Sequence, residues 1–346
     1  MATLISKAHV AELLQAFQSL RVGVLGDFTL DGYWYADMTR SQLSREAPLY
    51  PRPVVKETYS CGGAANVAWN LAALGVKEVL ALTVLGRDWR GDLLRKALSE
   101  ARVSLEAVVT GDGWSTPFYG KVMLTGPGTR QEDARLDFIN THPLPGEAEA
   151  LLLKNLEACL PSLDALVIAD YQAMGMTTPG VMAGLNRLAQ SHREVTFVVD
   201  SRDQIQQFEG MVLKPNDVEA SRWLFPARRP ETVTQAELEQ AGLRRQSAGA
   251  QPLFITLGEK GCLAIAGDQV RQLPAVRAAP PIDTVGAGDT FLAAVSCGLA
   301  AGASPWDAGL LANLATGVTI QKLGVTGTAT PAEILSLAAA VDWVGA

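Results

Sequence analysis

The sequence predicts an α/β protein with a mostly parallel sheet covered by helices and a small separate β-sheet. From residue 62 onward, short apolar runs suited to buried strands alternate with stretches of helical periodicity. A region rich in aromatic residues, prolines and charges, about 28–60, has the character of loop and exposed strand instead. With 346 residues, 48% of them hydrophobic, the chain is long enough to bury most of its apolar surface.

The first strand and the first motif helix are marked by glycines. Residues 21–26 (RVGVLG) form an apolar run that ends in glycine and delivers Asp27 to the end of a buried strand. Gly62 and Gly63 open an apolar helix that closes at Gly75. Further strands are predicted at 79–85, 105–110, 118–124, 134–138, 165–169, 195–199, 211–213 and 253–256. Further helices are predicted at 91–101, 147–160, 287–301, 305–323 and 331–344.

The chain is predicted to form a single domain over residues 1–346, because it contains neither an internal repeat nor a low-complexity linker. The two less regular stretches, about 28–60 and 113–143, are predicted to form the small β-sheet together. Functional residues are expected at the carboxyl ends of the parallel strands.

Charge and cysteine content narrow the function classes. A formal net charge of −7 argues against a nucleic-acid partner, which requires a basic face. No stretch is apolar and long enough to cross a bilayer, and residues 1–20 lack the apolar core of a signal peptide, so no membrane partner is expected. The scattered cysteines favour a reducing, cytoplasmic location; they are Cys61, Cys159, Cys262 and Cys297.

The most informative segment is IDTVGAGDTF at 282–291, which leads into a long apolar helix. Its glycine-rich turn at 286–288 places free backbone N–H groups at a helix N-terminus, where an anion is stabilised. Asp289 fits two compatible interpretations: an acid that caps the helix, or a general base that takes a proton from a substrate hydroxyl beside the anion. A dinucleotide fingerprint would need glycine at Phe291, and no P-loop sequence occurs.

Other polar residues also have a structural interpretation beside a functional one. Asn216 to Glu219, after Pro215, is typical of a helix start, and Asp27 alone is typical of a turn. Carboxylate and amide side chains such as Asp27, Asp31 and Asn66 can pair with adjacent hydroxyls, which suits a polyol. The histidines lie away from every motif and are expected at the surface; they are His9, His142 and His192.

The segment DTVGAGDTF at 283–291 resembles the C-terminal signature of the ribokinase-like, or PfkB-type, carbohydrate kinases. GGAANVAWNLAALG at 62–75, with Gly86 and Gly91 beyond it, resembles the N-terminal signature, and the motifs follow the family's order. The resemblance implies a three-layer ribokinase-like fold, a β-sheet lid over the sugar made from about 28–60 and 113–143, and ATP with Mg²⁺ as the phosphoryl donor. Because exposed lid strands in this family often pair between subunits, it also implies a homodimer through the lid.

The resemblance assigns roles residue by residue. Asp289 matches the catalytic base, and Asn216 and Glu219 match an Asn-x-x-Glu pair that organises the Mg²⁺ and phosphate region, Glu219 through water. The remaining matches are Gly286, Ala287 and Gly288 for the anion hole, Asp27, Asp31, Gly63 and Asn66 for the sugar hydroxyls, Thr256, Gly258 and Asn313 for the nucleotide, and Asp283 in a loop that holds a monovalent cation such as K⁺ in several members.

Within the family, the local resemblance is to D-glycero-β-D-manno-heptose 7-phosphate kinases. It is carried by GDFTLDGYWY at 26–35, SREAP at 44–48 and ADY at 169–171. Arg45 replaces the lid proline of that group, and Arg202 stands where the group has a lysine near phosphate. Candidate cations for a phosphate on the sugar are Arg40, Arg45, Arg52, Lys56, Lys121 and Arg135.

The predicted function is an ATP-dependent kinase that transfers the γ-phosphate to a hydroxyl of a sugar or sugar phosphate, with heptose 7-phosphate at O1 as one acceptor. Two alternatives stay open. One is a kinase for an unphosphorylated sugar, similar to fructose or ribose, or for a nucleoside; the other is a catalytically silent protein that senses a sugar or nucleotide. The intact Asp289 and its glycine turn favour an enzyme, because a silent protein has no chemical need for them.

Overall fold

The computed structural model describes residues 4–246, 250–324, 326–341 and 343. Its strands are β1 (Arg21–Gly26), β2 (Phe28–Asp37), β3 (Val54–Gly63), β4 (Glu78–Leu82), β5 (Val84–Gly86), β6 (Val109–Gly111), β7 (Phe118–Gly126), β8 (Thr129–Phe138), β9 (Ala165–Asp170), β10 (Thr196–Ser201), β11 (Val212–Leu213), β12 (Leu253–Thr256), β13 (Cys262–Ala266) and β14 (Gln269–Leu273). Its α-helices are α1 (Lys7–Ala16), α2 (Ala64–Ala73), α3 (Trp89–Glu100), α4 (Gly146–Cys159), α5 (Pro179–Ser191), α6 (Asp217–Leu224), α7 (Gln235–Arg245), α8 (Ala287–Ala300), α9 (Pro305–Thr319) and α10 (Pro331–Ala338).

The main sheet has the strand order β14-β13-β12-β11-β10-β9-β1-β4 within the described residues. From β4 to β12 all neighbours are parallel, as predicted. The antiparallel strands β13 and β14 were not predicted, and they extend the sheet as a hairpin beyond β12. The carboxyl ends of β1, β9, β10, β11 and β12 therefore meet at one edge, where the connections to the helices begin.

Helices cover both faces of this sheet because its strands are apolar on both sides. In β1, Val22 and Val24 pack in one core cluster with residues of α1, α2, α8 and α9, whereas Leu25 packs in a second cluster with α4 and α5. Helices α6 and α7 complete the second face over β12 and β13. This arrangement confirms the predicted mostly parallel sheet with helices on both sides.

A separate sheet with the order β3-β2-β7-β8 takes its strands from the two stretches that the sequence assigns to the small β-sheet. Strand β2 pairs antiparallel with β3 and parallel with β7, and β7 pairs antiparallel with β8. Trp34 and Tyr59 pack around Phe118 at the base of this sheet, with ring centroids 5.4 and 6.2 Å from that of Phe118. The aromatic residues of the region therefore form a small core of their own.

Several predicted boundaries are wrong. The strand predicted at 105–110 is confined to β6 at Val109–Gly111, because the backbone turns where the Val108 N–H donates to the Leu105 carbonyl. The helix predicted at 305–323 ends at Thr319, and the one predicted at 331–344 ends at Ala338, with residue 344 outside the described residues.

The cysteines and the helices bear on the environment expected for the chain. All four cysteines are free, as their scattered positions predict. Among the described residues, no helix combines the length and the apolar character needed to cross a membrane.

Candidate active site

A cavity of about 1330 Å³ lies at the carboxyl ends of the main-sheet strands and is also lined by residues of the separate sheet. Most of the residues to which the sequence assigns a role line it. They are Asp31, Gly63, Asn216, Glu219, Thr256, Gly258, Gly286, Ala287, Gly288, Asp289 and Asn313. A cavity with convergent polar groups at this edge of an α/β sheet is the expected position of an active site.

Backbone amides at the start of α8 point to an anion site in this cavity. Gly286 is the N-cap residue, has a left-handed backbone with φ of 77°, and carries no side chain that could cap the helix. The Ala287 N–H bonds back to the Thr284 carbonyl at 3.2 Å, and among the described residues the N–H groups of Gly288 and Asp289 have no acceptor. These two donors, with the helix dipole behind them, are available to a negatively charged ligand.

The Asp289 carboxylate is held from two sides. Its Oδ2 accepts a hydrogen bond from Asn66 Nδ2 at 2.7 Å, and its Oδ1 accepts one from the Tyr171 hydroxyl at 2.9 Å. Burial raises the pKa of Asp289 to about 6, although the two hydrogen bonds act in the opposite direction. Asp289 is therefore ionised above about pH 6 and able to accept a proton.

A buried ion pair next to the anion site was not predicted. Lys214 and Asp200 line the cavity, their side chains are 3% and 8% exposed, and Lys214 Nζ lies 2.8 Å from Asp200 Oδ2. A Cβ atom on Gly288 would lie 3.9 Å from that ammonium group. Although burial disfavours its charge, Asp200 holds the pKa of Lys214 above its ordinary value. The signal in the sequence is a lysine after a strand and directly before Pro215-Asn216.

Asn216 and Glu219 form a capping box at the start of α6. The pair therefore begins a helix, as one of the two interpretations of the sequence predicts. Asn216 Oδ1 accepts from the Glu219 N–H at 2.8 Å, and Glu219 Oε2 accepts from the Asn216 N–H at 2.8 Å. Both residues nevertheless line the cavity. The capping box therefore fixes their orientation toward a ligand without excluding a role in binding.

The other end of the cavity has the character of a nucleotide site. Thr256 is the last residue of β12 and Gly258 follows it, and the wall beside them includes Val276 and Phe291. Asn313 donates through Nδ2 to the carbonyl groups of Leu273 and Pro274, at 3.1 and 2.9 Å. Its Oδ1 is thus the atom left for a ligand, such as the amino group of a base.

The structure does not support a direct sugar contact for Asp27 or Asn66. The Asp27 carboxylate is buried below the cavity and accepts three backbone N–H groups, from Tyr171, Gln172 and Met176, at 2.8–2.9 Å. Asn66 is fully buried, and its amide holds Asp289 as described above. Asp27 therefore fixes the loop after β9, and Asn66 positions the candidate base.

Asp31 and Gly63 are placed as the sequence suggests for contact with a small polar molecule. In the described part of the chain, the Asp31 carboxylate has no hydrogen-bond donor, and it lines the cavity. Burial, together with the nearby Asp289, raises the pKa of Asp31 to about 6. Gly62, the residue before Gly63 in β3, is also close to this carboxylate: a Cβ atom on it would lie 2.2 Å from Asp31 Oδ1. Strand β3 can therefore approach Asp31 only with glycine at position 62.

Asp283 lies outside the cavity lining and closes a loop. Its Oδ1 accepts from the Val285 N–H at 3.1 Å, and its Oδ2 accepts from the Gly324 N–H at 2.9 Å. The carboxylate itself is therefore occupied. A monovalent cation here would depend on the carbonyl groups of the loop that Asp283 holds, and residue 325 lies outside the described residues.

A family model described as pfkB family carbohydrate kinase matches residues 36–333. This chain belongs to the PfkB family of carbohydrate kinases. Carbohydrate kinase is also the family that its motifs predict. Relatives of this PfkB chain named bifunctional protein HldE include one from Trichlorobacter lovleyi, 34% identical over 331 residues, and one from Caulobacter vibrioides, 36% identical over 337 residues. The matches cover 94% and 96% of this chain but 64% and 66% of the relatives, so the chain spans about two thirds of their length.

Solved structures confirm the ribokinase-like fold of this PfkB-family chain. Arabidopsis thaliana ribokinase complexed with ribose and ATP matches with a TM-score of 0.69 and 19% identity, over 92% of this chain and 99% of that one. Phosphofructokinase-2 from Escherichia coli in complex with potassium matches with a TM-score of 0.71 and 18% identity, over 92% and 98%. At these identities the similarity establishes the fold alone.

Proposed function

We propose that this kinase transfers the γ-phosphate of ATP to a hydroxyl group of a sugar phosphate, with Asp289 as the general base. The observation that carries the proposal is the position of Asp289. Its carboxylate lies in the cavity, in the same helix turn as the N–H groups of Gly288 and Asp289 itself, which have no acceptor within the described ranges. A base and an anion site in one turn are what phosphoryl transfer to a hydroxyl requires.

Different residues of the cavity have different roles in the proposed reaction. Asp289 takes the proton of the attacking hydroxyl, and Asp31 holds a neighbouring hydroxyl of the sugar. The amides at the start of α8 and the ammonium group of Lys214 stabilise charge on the transferred phosphoryl group. Thr256 and Gly258, with Asn313 Oδ1, contact the nucleotide.

The chain fits a Mg²⁺ ion that is held mainly by phosphate and water. Among the described residues, no group of three or more His, Cys, Asp or Glu side chains is placed to hold a metal ion. Glu219 lines the cavity and is the carboxylate that would contact the hydrated ion. When bound, Mg²⁺ neutralises the phosphate oxygens. For K⁺, the loop held by Asp283 is the candidate site.

Cationic side chains in the cavity favour a phosphorylated acceptor. Of the candidate cations, Lys121 and Arg135 line the cavity, and Arg202 lines it as well. Arg135 is paired with Asp137, whereas Arg202 has no carboxylate within ion-pair distance in the described part of the chain. These three groups can bind a substrate phosphate. The resemblance to heptose 7-phosphate kinases favours D-glycero-β-D-manno-heptose 7-phosphate, at O1.

The first test is ADP release from Mg-ATP with a panel of acceptors: this heptose phosphate, fructose 6-phosphate, fructose, ribose and adenosine. We expect turnover with a sugar phosphate. Turnover with fructose, ribose or adenosine alone would keep the kinase and contradict the phosphorylated acceptor. ATP binding without turnover on any acceptor would support the silent sensor instead.

Asp289→Asn tests the base. We expect kcat to fall by about 10³-fold or more while ATP binding persists, because general-base catalysis and positioning are lost together. Asp307→Asn is the matched control, since Asp307 is also an acid in the first turn of a helix, α9, but lies outside the cavity. Equal loss of activity and stability in both variants would show that Asp289 contributes to the start of its helix and is not the base.

We also propose that two copies of the chain pair through the separate sheet, which corresponds to the predicted lid, and that the protein acts in the cytoplasm. Strands β3 and β8 are the edges of the separate sheet, and Val54, Val55 and Leu136 are exposed on them. Free cysteines and the use of ATP support the location. Sedimentation of the wild type and of Val55→Lys tests the pairing: a monomeric wild type would contradict it.

A further inference from the structure

The Tyr171 hydroxyl lies between two carboxylates at the floor of the cavity. Its oxygen is 2.9 Å from Asp289 Oδ1 and 3.2 Å from Asp200 Oδ2. A phenol carries one hydrogen and can donate to one of them at a time. The proposed reaction gives no role to Tyr171, and a role for this residue rests on the proposed function of Asp289.

The position of this hydroxyl is fixed at both ends of the side chain. At the backbone, the Tyr171 N–H donates to Asp27 Oδ2 at 2.8 Å, and the next residue, Gln172, donates to the same atom. Over the ring, the Arg202 guanidinium lies 6.0 Å from the centroid. The hydroxyl is therefore placed by the fold and not by the ligand.

The second carboxylate already has a partner. Asp200 Oδ2 accepts from Lys214 Nζ at 2.8 Å, and this pair is buried. Because the ammonium group satisfies Asp200, the hydrogen of Tyr171 is directed to Asp289, which is also the closer acceptor.

We propose that Tyr171 is a positioning residue that aims the Asp289 carboxylate and keeps it ionised, and that turns its hydrogen to Asp200 once Asp289 is protonated. In the reaction the acceptor O–H bond breaks and its proton passes to Asp289. The electron pair of that bond forms the new O–P bond, and the γ-phosphorus separates from the bridging oxygen, which leaves with ADP. A protonated Asp289 no longer needs the Tyr171 hydrogen, and the Asp200 carboxylate is the acceptor within reach.

Several charged or polar groups face Asp289, and each is relevant to its titration. Asn66 and Tyr171 donate to it, Asp200 opposes its charge and Lys214 favours it. From the separate sheet it is faced by Asp31, whose own pKa is raised by the charge of Asp289.

Tyr171→Phe keeps the ring and removes only the donor. We expect the acid limb of the kcat profile to move up by about one to two pH units. The loss of kcat at about pH 6 should exceed that at about pH 8.5 by at least about fivefold. Tyr119→Phe is the matched control, since Tyr119 lines the same cavity but has no hydrogen bond to Asp289 among the described residues; its acid limb should stay in place.

A second readout does not depend on an acceptor. In protein carrying ¹³C at the aspartate carboxyl groups, the signal absent from Asp289→Asn identifies Asp289, and its titration gives the pKa directly. We expect that pKa to rise in Tyr171→Phe and to fall in Asp200→Asn, which removes the opposing charge. Urea unfolding of both variants is measured alongside, because Asp200→Asn leaves the Lys214 ammonium group buried without its partner.

The outcomes separate the two proposals. If the wild type phosphorylates no acceptor but the ¹³C signal shifts as expected, the proposed function fails and the role of Tyr171 stands. If Tyr171→Phe lowers kcat by the same factor at every pH and Asp289 titrates as in the wild type, the role of Tyr171 is overturned and the kinase function stands.

Discussion

At the scale of single residues, the site depends on a few buried charges whose partners are fixed. Lys214 is almost fully buried and paired with Asp200, and it lies beside the turn that would receive phosphate. Asp289 is held by one amide and one hydroxyl. Removing one member of such a buried pair leaves the other charge without compensation, which is more harmful than removing both.

We therefore expect Lys214→Met to destabilise the protein by about 3–5 kcal/mol, because Asp200 is left buried and unpaired. Activity should fall by about 10²-fold, since a positive group at the phosphate is lost. Urea unfolding and kinase assays measure the two effects. The double variant Asp200→Asn/Lys214→Met is the control: stability should return toward that of the wild type while activity stays low. A double variant as unstable as the single one would contradict the ion-pair explanation.

At the scale of elements, the two ends of α8 carry glycines with similar backbone conformations and different surroundings. Gly286 precedes the helix with φ of 77°, and a Cβ atom there would lie 2.8 Å from Asn66 Nδ2 and from Thr326 Cγ2. Gly302 follows the helix with φ of 84°, and a Cβ atom there would meet nothing within 4 Å. The first glycine is thus required by contact as well as by conformation, and the second by conformation alone.

Gly302→Ala should cost about 1–2 kcal/mol of stability and leave kcat close to that of the wild type, because only left-handed strain is introduced. Gly286→Ala adds displacement of Asn66, which holds Asp289, so we expect a larger loss of stability and a fall in kcat. Denaturant unfolding and steady-state kinetics compare the two variants. The same kcat in both would show that close contact at Gly286 does not matter for catalysis.

At the scale of the whole molecule, several carboxylates are gathered at the carboxyl ends of the sheet. Burial raises the pKa of Asp27, and it raises that of Asp170 to about 7. An acid whose pKa is raised on folding binds more protons in the folded state. The free energy of unfolding then falls as the pH rises from the ordinary value toward the folded value, by up to about 1.4 kcal/mol per pH unit for each group.

Asp170→Asn removes one of these charges. We expect the variant to gain stability relative to the wild type as the pH rises from about 4 to about 7, because only the wild type must ionise a buried carboxyl there. Urea unfolding at about pH 5 and pH 8 measures the difference. Asp203→Asn, at an exposed position nearby, should change stability little at either pH. An equal loss at both pH values in Asp170→Asn would indicate that the hydrogen bond from Ser201 outweighs the charge.

The family, the parallel sheet and the turn that carries Asp289 could all be predicted from the sequence. Each of these depends on local signals: apolar runs of strand length, glycines at required turns and a motif of contiguous residues. Boundaries were less exact, and the hairpin of β13 and β14 was missed, because strand pairing is decided by neighbours distant in sequence.

Which polar residues reach the cavity depends on contacts between distant parts of the chain and could not be predicted. Asp27 and Asn66 belong to the motifs that predicted the site, but neither side chain is free for a ligand. Asp27 accepts hydrogen bonds from a loop 144–149 residues away in the sequence, and Asn66 donates to Asp289, 223 residues away. Tyr171, Asp200 and Lys214 come from three different strand ends and acquire a common role only when those ends meet. The physical reason is that a side chain's partners depend on what the fold brings within about 3 Å, a distance that sequence spacing does not encode.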